Sequence, residues 1–148
     1  MVCLGNICRS PMAEGIMRHK LQQMGIETLI DSAGTGGWHA GESPDPRAIK
    51  AMRQHQIDIA GLVARQFQVS DFDRFDLILA MDESNHADLI QLASTAQQKD
   101  RVKLILKYTN RISGFSVPDP WYGNQDGFES VYQMLNEACD EVIKVHFI

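Results

Sequence analysis

Cysteine is scarce in this sequence, at three residues in 148. With an odd count and no visible secretion signal, a disulfide framework is excluded. Cys3, Cys8 and Cys139 are expected to be reduced thiols of a cytoplasmic protein. Residues 1–9 are too short, and too interrupted by Gly5 and Asn6, to read as a signal peptide. No apolar run approaches the roughly 18 residues of a spanning helix, so no membrane partner is expected. Basic residues form no run and the net charge is −5, which counts against nucleic acid as a partner. No Cys/His cluster has zinc spacing, and neither metal nor cofactor is expected. Repeats, low-complexity tracts and linkers are absent. The length suits a single domain over residues 1–148 with one core.

What is present is an alternation of strand-length apolar runs with segments of helical period. The first strand is nearly missing, because the chain opens Met1-Val2-Cys3. Ser10-Pro11 reads as N-cap and first helical residue. Met12, Ile16, Leu21 and Met24 then keep one apolar face, and Gly25 suits the stop. Leu29-Ile30 read as a short second strand, and Ser32-Ala33-Gly34-Thr35-Gly36-Gly37 as a flexible loop. A helix is expected from Pro46 to about Gln54, a buried strand over 75–80, a helix from Asp82 to Leu92 and a strand over 102–106. After a long loop from Pro118 to Gly127, the last helix carries Phe128, Val131, Tyr132, Leu135, Cys139, Val142 and Ile143 at helical spacing. This pattern implies the α/β class: a three-layer domain with a parallel sheet and helices on both faces. Ligands bind such sheets at the C-terminal strand ends, where the turn of residues 3–10 is expected to lie.

That turn is Cys3-Leu4-Gly5-Asn6-Ile7-Cys8-Arg9-Ser10-Pro11, with five residues between Cys3 and Arg9. A loop of this length can wrap its N–H groups around phosphate oxygens, and the following helix adds partial positive charge. Gly5 allows close approach or positive φ. Arg9 offers a planar donor pair for two oxygens. The same donors favour a thiolate at Cys3, which could then form a phosphocysteine. Ser10 can donate to that thiolate, cap the helix, or do both. The segment Val117-Pro118-Asp119-Pro120-Trp121-Tyr122-Gly123 presents a carboxyl between two stiffening prolines. By composition alone Asp119 reads as a turn residue, yet it could also donate a proton to a leaving oxygen.

Cys3 to Pro11 resembles the signature of the low-molecular-weight protein tyrosine phosphatases, in the N-terminal position where that family carries it. The resemblance extends over essentially the whole chain. It includes Asp31-Ser32-Ala33-Gly34-Thr35, Trp38, Pro44-Asp45-Pro46-Arg47-Ala48, Ala64-Arg65-Gln66, Met81-Asp82-Glu83-Ser84-Asn85 and Pro118-Asp119-Pro120-Trp121-Tyr122-Gly123. It implies a four-stranded parallel sheet flanked by helices, with the phosphatase loop at the C-terminal end of the first strand. It also implies metal-independent hydrolysis of phosphotyrosine and aryl phosphate monoesters through a phosphocysteine intermediate. The partners would be a phosphotyrosine-containing protein as substrate and inorganic phosphate as product, with the enzyme a monomer or weak homodimer.

The resemblance also assigns residues. Cys3 would be the nucleophile, Arg9 the phosphate clamp and Asp119 the general acid. Leu4, Gly5, Asn6, Ile7, Cys8 and Ser10 would form the phosphate cradle. Trp38, Trp121 and Tyr122 would line a deep cleft for an aromatic ester. Asn6, Ser32 and Asp82 would brace the loop, Asp82 by orienting Arg9, although Asp82 also suits a helix cap. Ile7 suits a flat aryl ring, where the related arginine phosphatases carry threonine. Cys8 matches the family's second loop cysteine, which can form a reversible disulfide with the nucleophile, and it also suits a small buried hydrophobe. Cys139 is expected in the core, and the five histidines at the surface.

Some positions depart from the family pattern. Members usually carry several more apolar residues before the loop. A central strand shortened by about five residues would cost on the order of several kcal/mol in burial and ladder hydrogen bonds. Leu62 stands where some animal members have a histidine, and Trp121 where a tyrosine is common. Two other functions share features of the loop. A thioredoxin-linked arsenate reductase would need a second cysteine pair between about residues 75 and 95, and none is there. A phosphotyrosine-binding pseudoenzyme would not need Cys3, Arg9 and Asp119 all intact.

Overall fold

A computed structural model describes residues 1–111 and 114–148 of the chain. Four parallel strands form the sheet, in the order β2-β1-β3-β4: β1 Val2–Cys3, β2 Ala33–Gly34, β3 Ile78–Ala80 and β4 Val102–Leu104. The helices are α1 Arg9–Gln23, α2 Pro46–Arg53, α3 Asp71–Arg74, α4 Glu83–Leu92, α5 Ala96–Arg101 and α6 Gln125–His146. Short 3-10 turns lie at Ile105–Tyr108 and Pro120–Tyr122. Among the described residues no helix is long and apolar enough to cross a membrane.

Alternation along each strand explains why both faces are covered. Cys3 and Leu79 join the apolar cluster with Met12, Ile16, Met52, Leu135 and Cys139 from α1, α2 and α6. Val2, Ala33, Ile78, Ala80, Val102 and Leu104 point the other way, to Phe67, Phe72 and Leu89. Successive strand residues face opposite sides, so the inner strands β1 and β3 are apolar throughout, while the edge strand β4 carries Lys103 between Val102 and Leu104. That is the α/β architecture expected from the sequence, and β1 is as short as the opening residues imply.

Several local expectations need correction. α1 begins at Arg9, not after Ser10: the Met12 N–H donates to the Cys8 carbonyl at 3.2 Å, which starts the first turn two residues early. Ser10 is therefore not the N-cap. Pro11 is still tolerated, because the first turn has N–H groups without intrahelical partners. At the far end, Leu21 is buried but Met24 is 45% exposed, outside the apolar face assigned to it. Gly25 does stop the helix, with φ +69.

The second strand is not Leu29-Ile30, whose Leu29 is 59% exposed, but Ala33–Gly34 inside the stretch read as a loop. The ladder decides it: the Ala33 N–H donates to the Met1 carbonyl at 3.0 Å and the Thr35 N–H to the Cys3 carbonyl at 2.9 Å. A side chain at Gly34 would lie 2.8 Å from the Leu4 carbonyl, so only glycine lets β2 pass this close to the loop. The strands expected over 75–80 and 102–106 shrink to β3 and β4, with a 3-10 turn following β4. α3 and α5 were not anticipated, since four and six residues are too few to show a period. α6 starts at Gln125, within the expected loop, because the Asn124 side chain caps it by accepting the Asp126 N–H at 3.1 Å. The Pro46 and Asp82 regions behave as read, with Asp45 and Asp82 as caps of α2 and α4.

Candidate active site

Cys3 is the last residue of β1, and the chain leaves it through residues 4–8 into α1. The Cys3 Sγ is 3.3 Å from the Asn6 N–H, which points at it, and 3.0 Å from the Ser10 Oγ. Asn6 makes this possible by adopting φ +59. The left-handed residue is thus Asn6, and Gly5 instead provides close approach: a Cβ there would lie 3.0 Å from the His39 ring. Asparagine tolerates this backbone because its side chain bonds locally.

The Asn6 side chain is fully used. Its Nδ2 donates to Ser10 Oγ at 2.8 Å and to Ser32 Oγ at 2.9 Å, and its Oδ1 accepts the Arg65 N–H at 3.0 Å. Ser10 Oγ already accepts from Asn6, so its own proton is free for the Cys3 sulfur or the Ala33 carbonyl, 3.4 Å away. Ser32 Oγ donates on to the buried carboxylate of Glu14 at 2.5 Å. Leu62 packs against the apolar cluster.

Arg9 is 3% exposed. Its Nη1 donates to Asp82 Oδ2 at 2.6 Å and to the Val117 carbonyl at 3.1 Å, and its Nη2 lies 3.6 Å from Asp119 Oδ2. Burial alone would lower the Arg9 pKa, but Cys3, Asp82 and Asp119 outweigh it and hold the guanidinium charged. Asp82 divides its oxygens. Oδ2 takes Arg9, while Oδ1 accepts the Asn85 N–H at 2.7 Å and caps α4. Asp119 does the same, with Oδ1 accepting the Trp121 N–H at 3.0 Å and Oδ2 turned to Arg9.

These groups border an open cavity of about 110 Å³, lined by Cys3, Leu4, Gly5, Ile7, Cys8, Arg9, Trp38, His39, Asp119, Trp121 and Tyr122. Asn6, Ser10, Ser32 and Asp82 stand behind it, bracing the loop and Arg9. The aromatics do not enclose a deep cleft. Trp38 is 73% and Tyr122 88% exposed, so they form a rim. A roomier cavity of about 320 Å³ sits at the N-terminal strand ends, beside Met1, Asp31 and Leu77, and its lining contains no cysteine.

Cys8 and Cys139 are also buried free thiols. Burial, then the nearby Asp45 and Cys3, pushes the Cys8 thiol up, which keeps it protonated. Cys139 is core, as expected, and burial pushes its thiol up to about 12. The histidines are not all surface groups. His55 is half-buried and stacks on Tyr132 at 3.5 Å, 2.9 Å from Glu129. His39 is the cavity residue that sequence reasoning missed. Its Nδ1 is 2.6 Å from Glu42 Oε2, and its ring centre is 5.9 Å from that of Trp121.

The model for the family "Low molecular weight phosphotyrosine protein phosphatase" matches residues 1–145. A low molecular weight protein-tyrosine-phosphatase of Streptomyces coelicolor is 44% identical over 141 residues, spanning 93% of this chain and 85% of its own. Among solved structures, a protein tyrosine phosphatase of Entamoeba histolytica superposes with a TM-score of 0.91 at 36% identity, covering 97% of this chain and 92% of its own. A Drosophila arginine phosphatase superposes with a TM-score of 0.92 at 30% identity, covering 99% and 96%. The match therefore runs through the strands, the loop and the Asp119 segment alike, and the chain belongs to the low molecular weight phosphotyrosine protein phosphatase family, whose members are enzymes.

Proposed function

We propose that this chain, as one phosphatase domain over residues 1–148, hydrolyses phosphotyrosine in proteins, and aryl phosphate monoesters generally, without a metal and through a phosphocysteine. The observation that carries the reading is the convergence of the Cys3 sulfur, the buried Arg9 and the Asp119 carboxyl on one cavity. The Cys3 thiolate attacks phosphorus in line as the ester P–O bond breaks. Asp119 gives its proton to the departing phenolate oxygen. Water then attacks the phosphocysteine while the Asp119 carboxylate takes a proton back. The S–P bond breaks, inorganic phosphate leaves and the thiolate returns. Arg9, the loop amides and the N-terminal end of α1 carry the phosphate charge. Leu4, Gly5, Ile7 and Cys8 wall the phosphate, with Asn6 and Ser10 fixing the loop from behind.

Ile7 and the aromatic rim favour an aryl leaving group over a guanidinium one. The likeness to an arginine phosphatase means the fold does not choose between them. Three free thiols, one of them the nucleophile, suit a reducing cytoplasm. The enzyme works as a monomer or weak homodimer. The test is steady-state hydrolysis of a phosphotyrosine peptide, phenyl phosphate and phosphoarginine in excess chelator, beside Cys3→Ser. Turnover of the first two that disappears in the variant is expected, with a phosphoenzyme trapped by acid quench. Turnover only with added metal, or preference for phosphoarginine, would overturn the reading. Tight binding of the peptide without turnover would make the chain a phosphotyrosine-binding pseudoenzyme.

A further inference from the structure

The motif Pro44-Asp45-Pro46-Arg47-Ala48 takes no part in the chemistry above, and Arg47 does not line the cavity. Its guanidinium is nonetheless engaged on every side. Nε and Nη2 donate to the two oxygens of Asp45 at 3.0 and 2.9 Å. Nη1 donates to the carbonyls of Trp121 at 3.1 Å and Gly123 at 3.2 Å. The group lies 5.5 Å from the Trp121 ring centre and 4.7 Å from that of Phe128. Its own carbonyl accepts from Gln125 Nε2 at 2.9 Å.

Asp45 ties this cluster to the phosphate loop. It is 7% exposed, and its N–H donates to the Ile7 carbonyl at 2.8 Å. Burial would raise its pKa, but the contacts from Arg47 win and lower it, so the pair stays charged. The segment bearing Asp119 thus has two anchors. Upstream, the Val117 N–H donates to the Met81 carbonyl at 2.8 Å and the Val117 carbonyl accepts from Arg9. Downstream, Arg47 grips Trp121 and Gly123. Asp119 lies between them.

We infer that Arg47 is a positioning residue for the general acid. It fixes the downstream side of the segment against the phosphate loop, so that the Asp119 carboxyl is held in register with the leaving oxygen. The inference rests on the assignment of Asp119 as that acid. A planar fork is required, because one group must meet a carboxylate and two carbonyls at once. An ammonium cannot span them.

The test reads leaving-group dependence, which a merely structural role would not change. A phenolate leaving group needs the proton, since the pKa of its phenol is about 10. A nitrophenolate, being a far weaker base, needs it much less. Arg47→Gln should lower kcat/KM for phenyl phosphate ~30-fold while changing that for nitrophenyl phosphate less than ~3-fold. Arg47→Lys should behave like Arg47→Gln, and it carries the comparison alone if the glutamine variant does not fold. In an Asp119→Asn background either change should add less than ~2-fold on phenyl phosphate. Equal losses on both esters, full activity of the lysine variant, or multiplicative losses in that background would overturn the inference. An Asp119→Asn enzyme as active as wild type on phenyl phosphate would overturn the acid assignment and this inference with it. A defective Asp119→Asn beside an unaffected Arg47→Gln would overturn the positioning role alone.

Discussion

Arg9, which reaches into the cavity from α1, is 3% exposed, whereas Tyr122 at its rim is 88% exposed. The contrast holds for their neighbours. Around the phosphate side, Asn6, Ser10, Ser32 and Asp82 each find partners, and Asn6 and Asp82 use both ends of their side chains. Around the leaving-group side, Trp38, Trp121 and Tyr122 stand partly or largely in solvent. A polar network with every member satisfied is rigid and intolerant of change, while the rings of Trp38 and Tyr122 stand largely in solvent and only Trp121 is gripped, by Arg47. In the proposed reaction the invariant part, a phosphoryl group, would meet the rigid side. The variable part, the group attached to it, would meet the more exposed side.

Substitutions should separate the two sides. Arg9→Lys keeps the charge but loses the fork whose Nη1 holds Asp82 and Val117 and whose Nη2 faces Asp119, and kcat/KM should fall ~1,000-fold on every aryl phosphate, whatever its leaving group. Steady-state rates on a phenyl and a nitrophenyl ester check this, and a loss confined to one ester would break the comparison. Asn6→Ala comes next. It places alanine at a left-handed φ and strips Ser10, Ser32 and the Arg65 N–H of a partner. We expect kcat to fall ~10- to 100-fold and the folded state to lose about 2 kcal/mol, read by rates and urea unfolding. Trp38→Ala should change least, raising KM for small aryl phosphates less than ~5-fold with kcat kept. A Trp38 effect as large as that of Asn6 would show that the rim is no looser than the cradle.

The layered α/β arrangement could be read from the sequence because alternation and length survive in a parallel sheet. That Cys3, Arg9 and Asp119 border one cavity could be anticipated from the resemblance of their flanking segments to the family's motifs. The rest depended on tertiary contacts. Ser10 suited a cap, a donor to the sulfur or both, and only the start of α1 at Arg9 removes the cap while leaving the contact with Cys3. Ala33–Gly34 looked like a flexible stretch, and only pairing with β1 makes it a strand. Gly5 was the natural candidate for positive φ, yet Asn6 takes it, since its side chain can bond in three directions there. His39 was passed over because no periodicity or spacing links it to Cys3. Its contact with the loop is visible only in three dimensions.

The strand order β2-β1-β3-β4 places Cys3 on an inner strand, hydrogen-bonded to neighbours on both sides. Inner strands are among the last parts of a protein to open in native-state fluctuations. The strand that carries Cys3 is therefore sheltered from reagents that rely on fraying, and its sulfur borders the cavity described above. Under the proposed function alkylating agents and peroxide would share that cavity with substrates, so inorganic phosphate bound there would shield the thiol by occupancy alone.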